Sequence, residues 1–461
     1  MKAIFKKIGQ VNTAELELKD LTIIAGDNNT GKTYLAYTLY GFLKSIQQQS
    51  FLKQKHMLKD LPFDLDNTAR EIIDSGNVQC IVKNFDKKAK KIIRKLFKIS
   101  SDSISEIFSS PPDDFKDAEL SVSPEYLFNK KRENTVNVQT GTKVKYNITA
   151  LLEEDILSFN LQNYKSIPHQ DPNLIKDLLI STFIGLCVPI HPDPFILSAE
   201  RFGISVFYKE LDFTKNRVVE ILQKLKDKGG TKKIDPFFLL MDQTSSRYAQ
   251  PIKDNIDYTR DLESIQKQNS PLFDNKLFDH IKGMLNGYFK YRDNEIRFIS
   301  KARKSGKFDI PLHLASSSAR GMSDLYFFLK HIAHKNHLLI IDEPESHLNT
   351  ANQIKMAQLL ARCVNSGLKV LITTHSDYLI KEFNNLIMLS NNFNGKDDFL
   401  KSNKQYTLND YLNPESVGAY ICEKGSLTSC HIDERGMDIR VFDDTIDAIN
   451  QISDELDFLI D

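Results

Sequence analysis

Three short stretches hold the residues whose types and spacing could do chemistry. Gly26-Asp-Asn-Asn-Thr-Gly-Lys32-Thr33 follows the apolar run Leu21–Ala25 and leads into a helically spaced apolar pattern over Thr33–Leu43. Strand, glycine loop and helix form the context that phosphate binding requires. Glycines at 26 and 31 let backbone N–H groups approach a di- or triphosphate, Lys32 adds positive charge at the β and γ phosphates, and Thr33 offers a hydroxyl to Mg2+. Asn28, Asn29 and Thr30 complete the predicted phosphate-binding loop. Asn29 stands where related loops often carry glycine, and asparagine is among the residues that best tolerate a positive φ. The second stretch is Leu338-Leu-Ile-Ile-Asp342-Glu343-Pro-Glu345. Four apolar residues predict a buried strand, with Asp342 at its end to hold Mg2+ and Glu343 next to it to orient and deprotonate a water. Adjacent acids at a buried strand end are costly unless something uses them. The third is Lys369-Val-Leu-Ile-Thr-Thr-His375-Ser376, a strand ending in a histidine. In this order, His375 is a candidate for contacting the γ phosphate and the attacking water.

The elements that must position these residues are readable in outline. Residues 2–8 and 12–18 read as two strands joined by a tight turn at Gln10. A helix over Met322–His334 precedes the acid strand, and a helix over Thr350–Asn365 separates it from the histidine strand. The resulting fold class is α/β, a mixed sheet with flanking helices. Helical spacing places Phe85, Ala89, Ile92 and Leu96 on one stripe of a basic amphipathic helix over 84–98. Residues 117–147 read as short strands, 204–290 as mainly helical, and 294–299 with 308–314 as a strand pair. Pro111-Pro112, Gly229-Gly230 and Pro236, with no sustained heptad, make the region between loop and acid strand a compact insertion and exclude a long coiled-coil arm.

Composition narrows the function further. Sixty-one basic and 61 acidic residues balance in a chain of 461, so no global field draws it to nucleic acid or membrane. The run Leu178–Ile190 is too short to span a bilayer, where roughly 20 apolar residues are needed. The N-terminus lacks the apolar centre of a secretion signal, and the reading is cytoplasmic. Five scattered cysteines read as reduced structural thiols. The 84–98 helix and Lys301–Lys307 are the two candidate nucleic-acid surfaces, each weighed against a solvated face. No NKxD motif points to guanine.

Phosphate loop, "DEPE" and "TTHS" together resemble the ABC-type ATPase superfamily, and the N-terminal strand pair is most similar to its SMC and OLD branch. That resemblance implies an ATPase head that pairs with a second head, each capping the other's ATP with a signature segment. The matching region here is Ala315–Leu325, with Ser316, Ser317, Ser318 and Gly321 as candidates and Arg320 reaching for phosphate. Asn349 falls where the family's loop between heads ends in aspartate, and Glu200 or Arg201 of Ser198-Ala-Glu-Arg201 stands near the place of the glutamine loop. The expected domain plan is a head from 1–43, 192–203 and 288–395, insertions at 44–191 and 204–287, and a separate tail at 396–461. The tail is too short for the nuclease domain of OLD proteins. Its final helix pattern carries Ile446, Ile449, Ile452, Leu456 and Leu459 on one stripe, to pack on the head or dock a partner. "SSSARGMSDL", "SAER" and the chain length further resemble the ATPase subunits of two-gene prokaryotic antiviral systems. These are the Septu or retron PtuA type, paired with an HNH nuclease, and the PARIS AriA type, paired with a TOPRIM nuclease. The resemblance implies an ATP- and Mg2+-dependent homo-oligomeric scaffold controlling a separate nuclease. The alternatives are a DNA-repair ATPase acting directly on DNA and a slow-turnover protein that ATP merely locks into an assembly.

Overall fold

Short, largely apolar runs build the centre of the molecule. Leu21–Ala25 (β3), His337–Asp342 (β14) and Lys369–Thr374 (β15) are buried on both faces, as parallel strands covered by helices must be. In β3, Ile24 faces one core while Leu21, Ile23 and Ala25 face the other. Leu338 and Ile340 of β14 likewise oppose Leu339 and Ile341. The period of two thus sends alternate side chains to two separate helical layers. The phosphate-loop helix (Lys32–Gln47) packs on the first face through Leu35, Leu39 and Phe42. The helix Ser317–His331 packs on the second through Met322, Leu325 and Phe328.

The computed structural model describes residues 1–47, 61–123, 131–140, 143–162, 172–187, 192–209, 248–272, 275–302, 306–335, 337–407, 410–439 and 450–457. Four further segments join the main sheet near the N-terminus and in the first insertion: Lys2–Ile8 (β1), Val11–Glu17 (β2), Lys98–Ser100 (β5) and Glu119–Ser123 (β6). Asp193–Leu197 (β10), Val417–Glu423 (β16) and Ser426–Ser429 (β17) complete it in the order β10-β14-β15-β3-β16-β17-β2-β1-β6-β5. The strands β10, β14, β15, β3 and β16 are parallel. Beyond them β2, β1, β6 and β5 pair antiparallel, and β1 alternates buried and exposed positions as a one-sided sheet requires. The fold class is the expected α/β one, a large mixed sheet with flanking helices.

Two expectations are corrected. The region after 396 is not a separate tail: β16 lies between β3 and β17, pairing in parallel with the strand that feeds the phosphate loop. Its residues Val417, Ala419, Tyr420 and Cys422 are buried in the two cores. The helical reading of 204–290 also misses Gly287–Arg292 (β11), which pairs with Glu295–Ala302 (β12), itself paired with Gly306–Pro311 (β13). Within the first insertion, Asn77–Ile81 (β4), Lys131–Thr140 (β7), Lys143–Glu153 (β8) and Ile156–Gln162 (β9) form a second, antiparallel sheet in the order β4-β9-β8-β7. The basic helix forms over Phe85–Leu96, with Phe85, Ala89, Ile92, Ile93 and Leu96 buried and Lys87, Lys88, Lys91, Arg94 and Lys95 exposed. The tip of the second basic stretch, 303–305, and the positions 446, 449 and 459 of the terminal stripe lie outside the described residues. Ile452 and Leu456 of that stripe are exposed. Among the described residues, no helix is long and apolar enough to cross a membrane.

Candidate nucleotide-binding and hydrolysis site

Register brings the site together. Ala25 pairs with Thr374 and with Ile421, and Asp342 pairs with Thr373. The C-terminal ends of β14, β15, β3 and β16 therefore share one edge, the edge at which parallel α/β sheets bind ligands. Gly26 leaves β3 with φ +148° and Gly31 enters the helix with φ +103°. A Cβ on Gly26 would sit 2.4 Å from the Cys422 carbonyl oxygen, and one on Gly31 would sit 2.6 Å from Val11 Cγ2. Glycine is required there by conformation and by space. Asn29 adopts φ +62° on the exposed rim, and its Oδ1 accepts a hydrogen bond from Gln10 Nε2 at 2.8 Å. Thr30 Oγ1 donates to Asp27 O, and Asn28 is exposed. Lys32 is buried, and its Nζ donates to the carbonyls of Gly26 (2.8 Å) and Asp27 (2.7 Å). Burial pulls its pKa down, against the opposing pull of nearby acids.

The loop and the acid strand meet through Thr33, whose Oγ1 lies 3.2 and 3.1 Å from the two carboxylate oxygens of Asp342. Thr373 Oγ1 also donates to Asp342. Burial pushes the Asp342 carboxyl up to about 6; the two threonine hydroxyls oppose that rise, while Glu343 and Glu200 add to it. Hydroxyl plus carboxylate is a hard oxygen donor set of the kind Mg2+ takes. With the glycine cradle and Lys32, these residues fit Mg–ATP.

Glu343 sits at φ +50°, a left-handed backbone that a non-glycine residue adopts at a cost of about 1–3 kcal/mol. Its N–H donates to Thr373 O and Oγ1, both at 3.1 Å, and its carbonyl accepts from Arg201 Nη2 at 2.7 Å. The strain is thus held from both sides. It sets the Glu343 carboxylate where Ser346 Oγ donates to Oε2 (3.0 Å) and His375 Nδ1 lies 3.7 Å from Oε1. Glu345, quoted in the motif without a role, positions the histidine. Its Oε1 accepts from the His375 N–H (2.7 Å) and from Thr374 Oγ1 (2.8 Å), and lies 3.4 Å from His375 Nδ1. Its other oxygen is buried without a hydrogen-bond partner among the described residues, leaving an acceptor for a water or a ligand donor.

Arg201, expected at most to touch the site, is the clamp behind it. Fully inside the protein, it donates to the carbonyls of Ser198 (3.0 Å), Asp342 (2.7 Å), Glu343 (2.7 Å) and Gly321 (3.3 Å). One guanidinium therefore ties the acid strand to the signature helix. Burial lowers the Arg201 pKa, and Asp342, Glu345 and Asp324 oppose that lowering; burial lifts the Asp324 carboxyl to about 7, and Arg201 pulls it back. Glu200 accepts from Tyr37 OH at 3.0 Å. Cys422 sits under the loop, its Sγ donating to Thr30 O at 3.2 Å. No local signal in the sequence connects 422 to 30, because the contact exists only through β16.

The signature segment is arranged differently. Ser316 caps the helix, its Oγ accepting from Ala319 N at 3.3 Å, and Ser317 is the first helical residue. Ser318 Oγ donates to His347 O at 2.8 Å. The Arg320 guanidinium lies 4.3 Å from the Phe202 ring centre, and Phe202 in turn packs on His347. A Cβ at Gly321 would meet nothing closer than Ser346 O at 3.9 Å, so space alone does not require glycine there. Asn349 caps the next helix by accepting from Asn352 N at 2.9 Å.

A lysine-bearing glycine loop facing a buried carboxylate, with a second carboxylate and a histidine alongside, is the arrangement of a P-loop nucleotide-binding protein. A family model described as the AAA ATPase domain matches residues 9–380, and the chain belongs to that family. No curated protein shows significant similarity to it. Among solved structures, it is similar to the SMC head domain from Thermotoga maritima (10% identity, 94% of this chain and 98% of that chain, TM-score 0.31). It is also similar to an SMC head bound to the C-winged helix domain of ScpA (11% identity, 93% and 96% covered, TM-score 0.32). A third is the Smc head domain with an extended coiled coil, bound to the C-terminal domain of ScpA derived from Pyrococcus furiosus (12% identity, 98% of each chain, TM-score 0.31).

Proposed function

We propose that the chain binds Mg–ATP at the 26–33 loop, hydrolyses it with Glu343 as general base, and uses head-to-head closure to control a separate effector protein, a nuclease, in prokaryotic antiviral defence. The observation that carries the catalytic part is the strained Glu343. Its N–H bond to Thr373 and the bond from Arg201 to its carbonyl fix the carboxylate beside Asp342, with Ser346 Oγ at 3.0 Å and His375 Nδ1 at 3.7 Å. Glu343 accepts the proton of the attacking water. His375, steadied by Glu345, orients that water and donates toward the transferred phosphate. Lys32 leaves the loop carbonyls of Gly26 and Asp27 and turns to the phosphates. Thr33 and Asp342 would hold Mg2+, which when bound offsets charge on the phosphate oxygens. Ser317, Ser318, Gly321 and Asn349 face a second copy, whose ATP they cap. The role in defence is supported by the resemblance of "SSSARGMSDL" and "SAER".

The test is capture of the tagged Glu343→Gln form from its native host, with mass spectrometry and nucleic-acid staining. A stoichiometric protein bearing nuclease motifs, with little DNA, is the expected result. Abundant DNA with no protein partner would overturn effector control in favour of direct action on DNA.

A further inference from the structure

The acid strand has a second end. Asp193 opens β10, His337 opens β14, and the two are register partners across the parallel pair. His334 lies in the turn between the signature helix and β14. Its Nε2 is 3.4 Å from Asp193 Oδ2, and its ring centre is 3.6 Å from that of His337. One donor atom from each of the three residues falls within a set spanning no more than 4.8 Å. Around a tetrahedral zinc ion, with bonds of about 2.0–2.2 Å, neighbouring donors stand about 3.3–3.5 Å apart, so the His334–Asp193 pair already has ligand spacing. We propose that Asp193, His334 and His337 bind a transition-metal dication of the zinc class, with solvent in the fourth position.

Three features favour a metal over a plain surface ion pair. Two imidazoles in contact repel if both carry protons, whereas a shared cation turns their closeness into attraction. His337 Nδ1 accepts the His334 backbone N–H at 3.1 Å, so that nitrogen already presents a lone pair toward His334; a metal there replaces this hydrogen bond. The Gln47 amide lies 3.5 Å from Asp193 Oδ1, the oxygen not facing His334, as an outer partner that orients a ligand. The site lies at the opposite end of β14 from Asp342, five residues and about 17 Å away. It is therefore distinct from the Mg2+ position. Bound metal would pin the turn after the signature helix to the starts of β10 and β14 and, through Gln47, to the end of the phosphate-loop helix.

The experiment uses the untagged full chain, stripped with chelator and then kept in excess Mg2+ to occupy oxygen-only positions. Zn2+ is titrated by calorimetry, and retained metal is counted after gel filtration. The expected result is one equivalent per chain and a higher Tm with Zn2+. His334→Ala and Asp193→Asn should abolish stoichiometric binding. Gln47→Ala should weaken it by the ~10–100-fold that loss of an outer-shell partner costs. His334 and Asp193 are both partly exposed, so these variants should fold, which circular dichroism and intact ATP binding would verify. Absence of stoichiometric Zn2+ uptake by the wild-type chain, or uptake that both ligand variants retain, overturns the proposal.

Discussion

The phosphate loop and the segment around Ser316–Gly321 both lead into helix N-termini, yet they are built in opposite ways. The loop is closed over by its own chain. Val11 and Cys422 press on its glycines, Lys32 is folded onto its carbonyls, and Thr33 meets Asp342. Ser317 and Ser318 are only half-buried, and the neighbouring Leu314 is exposed. In the proposed reading the loop is one half of a nucleotide site and the signature segment the half offered to another copy. Arg201 joins them by bonding the carbonyls of Gly321, Asp342 and Glu343 with one side chain. A shift of the acid strand is thereby felt at the surface that would meet another head.

The contrast can be broken at several points. Lys32→Ala should lower ATP affinity by about 100-fold or more, because charge-assisted bonds to phosphate are lost; calorimetry measures it. Binding within a few-fold of wild type would mean the loop is not the nucleotide half-site. Glu343→Gln should keep ATP affinity and lose about 10²–10⁴-fold in kcat, read in a single-turnover assay. Arg201→Met should cost about 3 kcal/mol in urea unfolding, since Asp324 is left buried beside no cation and four carbonyls lose their donor.

Asp342 sharpens the picture through pH. Its folded pKa, about 6, lies above the unfolded value, so the buried charge destabilises the nucleotide-free chain at neutral pH. That penalty is relieved as pH falls through 6 toward 4. Proton and Mg2+ compete for the same oxygens, so Mg2+ affinity should fall about tenfold per pH unit below 6, and Asp342→Asn should remove this dependence. The smallest effect belongs to Ser318→Ala. Its single bond to His347 O is partly exposed, so stability should stay within about 1 kcal/mol of wild type by thermal melting. A marked loss of turnover at that unchanged stability would mean the serine acts on nucleotide held by another chain.

Only contiguous features could be read from the residues alone. The glycine loop, the acid pair and the strand-end histidine are each a run of a few residues at the C-terminal end of a strand, and local sterics and burial place them. The alternation of the sheet core and the apolar stripe of Phe85–Leu96 come from periodicity in the same way. Glu345 is visible two residues after Glu343, but its bond to the His375 N–H depends on β14 and β15 lying side by side in one register. Arg201 reads as a charge near the place of the glutamine loop; only the meeting of the 198 turn, the signature helix and the acid strand makes it a clamp. The strand Val417–Glu423 reads as tail because pairing between strands is non-local, and no neighbouring residue announces a partner as distant as Leu21. Asp193, His334 and His337 look unrelated in the chain for the same reason. Chemistry written in consecutive residues was set by the sequence itself, whereas every contact joining distant segments was settled when the parallel strands chose their neighbours, since backbone pairing and two-sided burial carry no local mark.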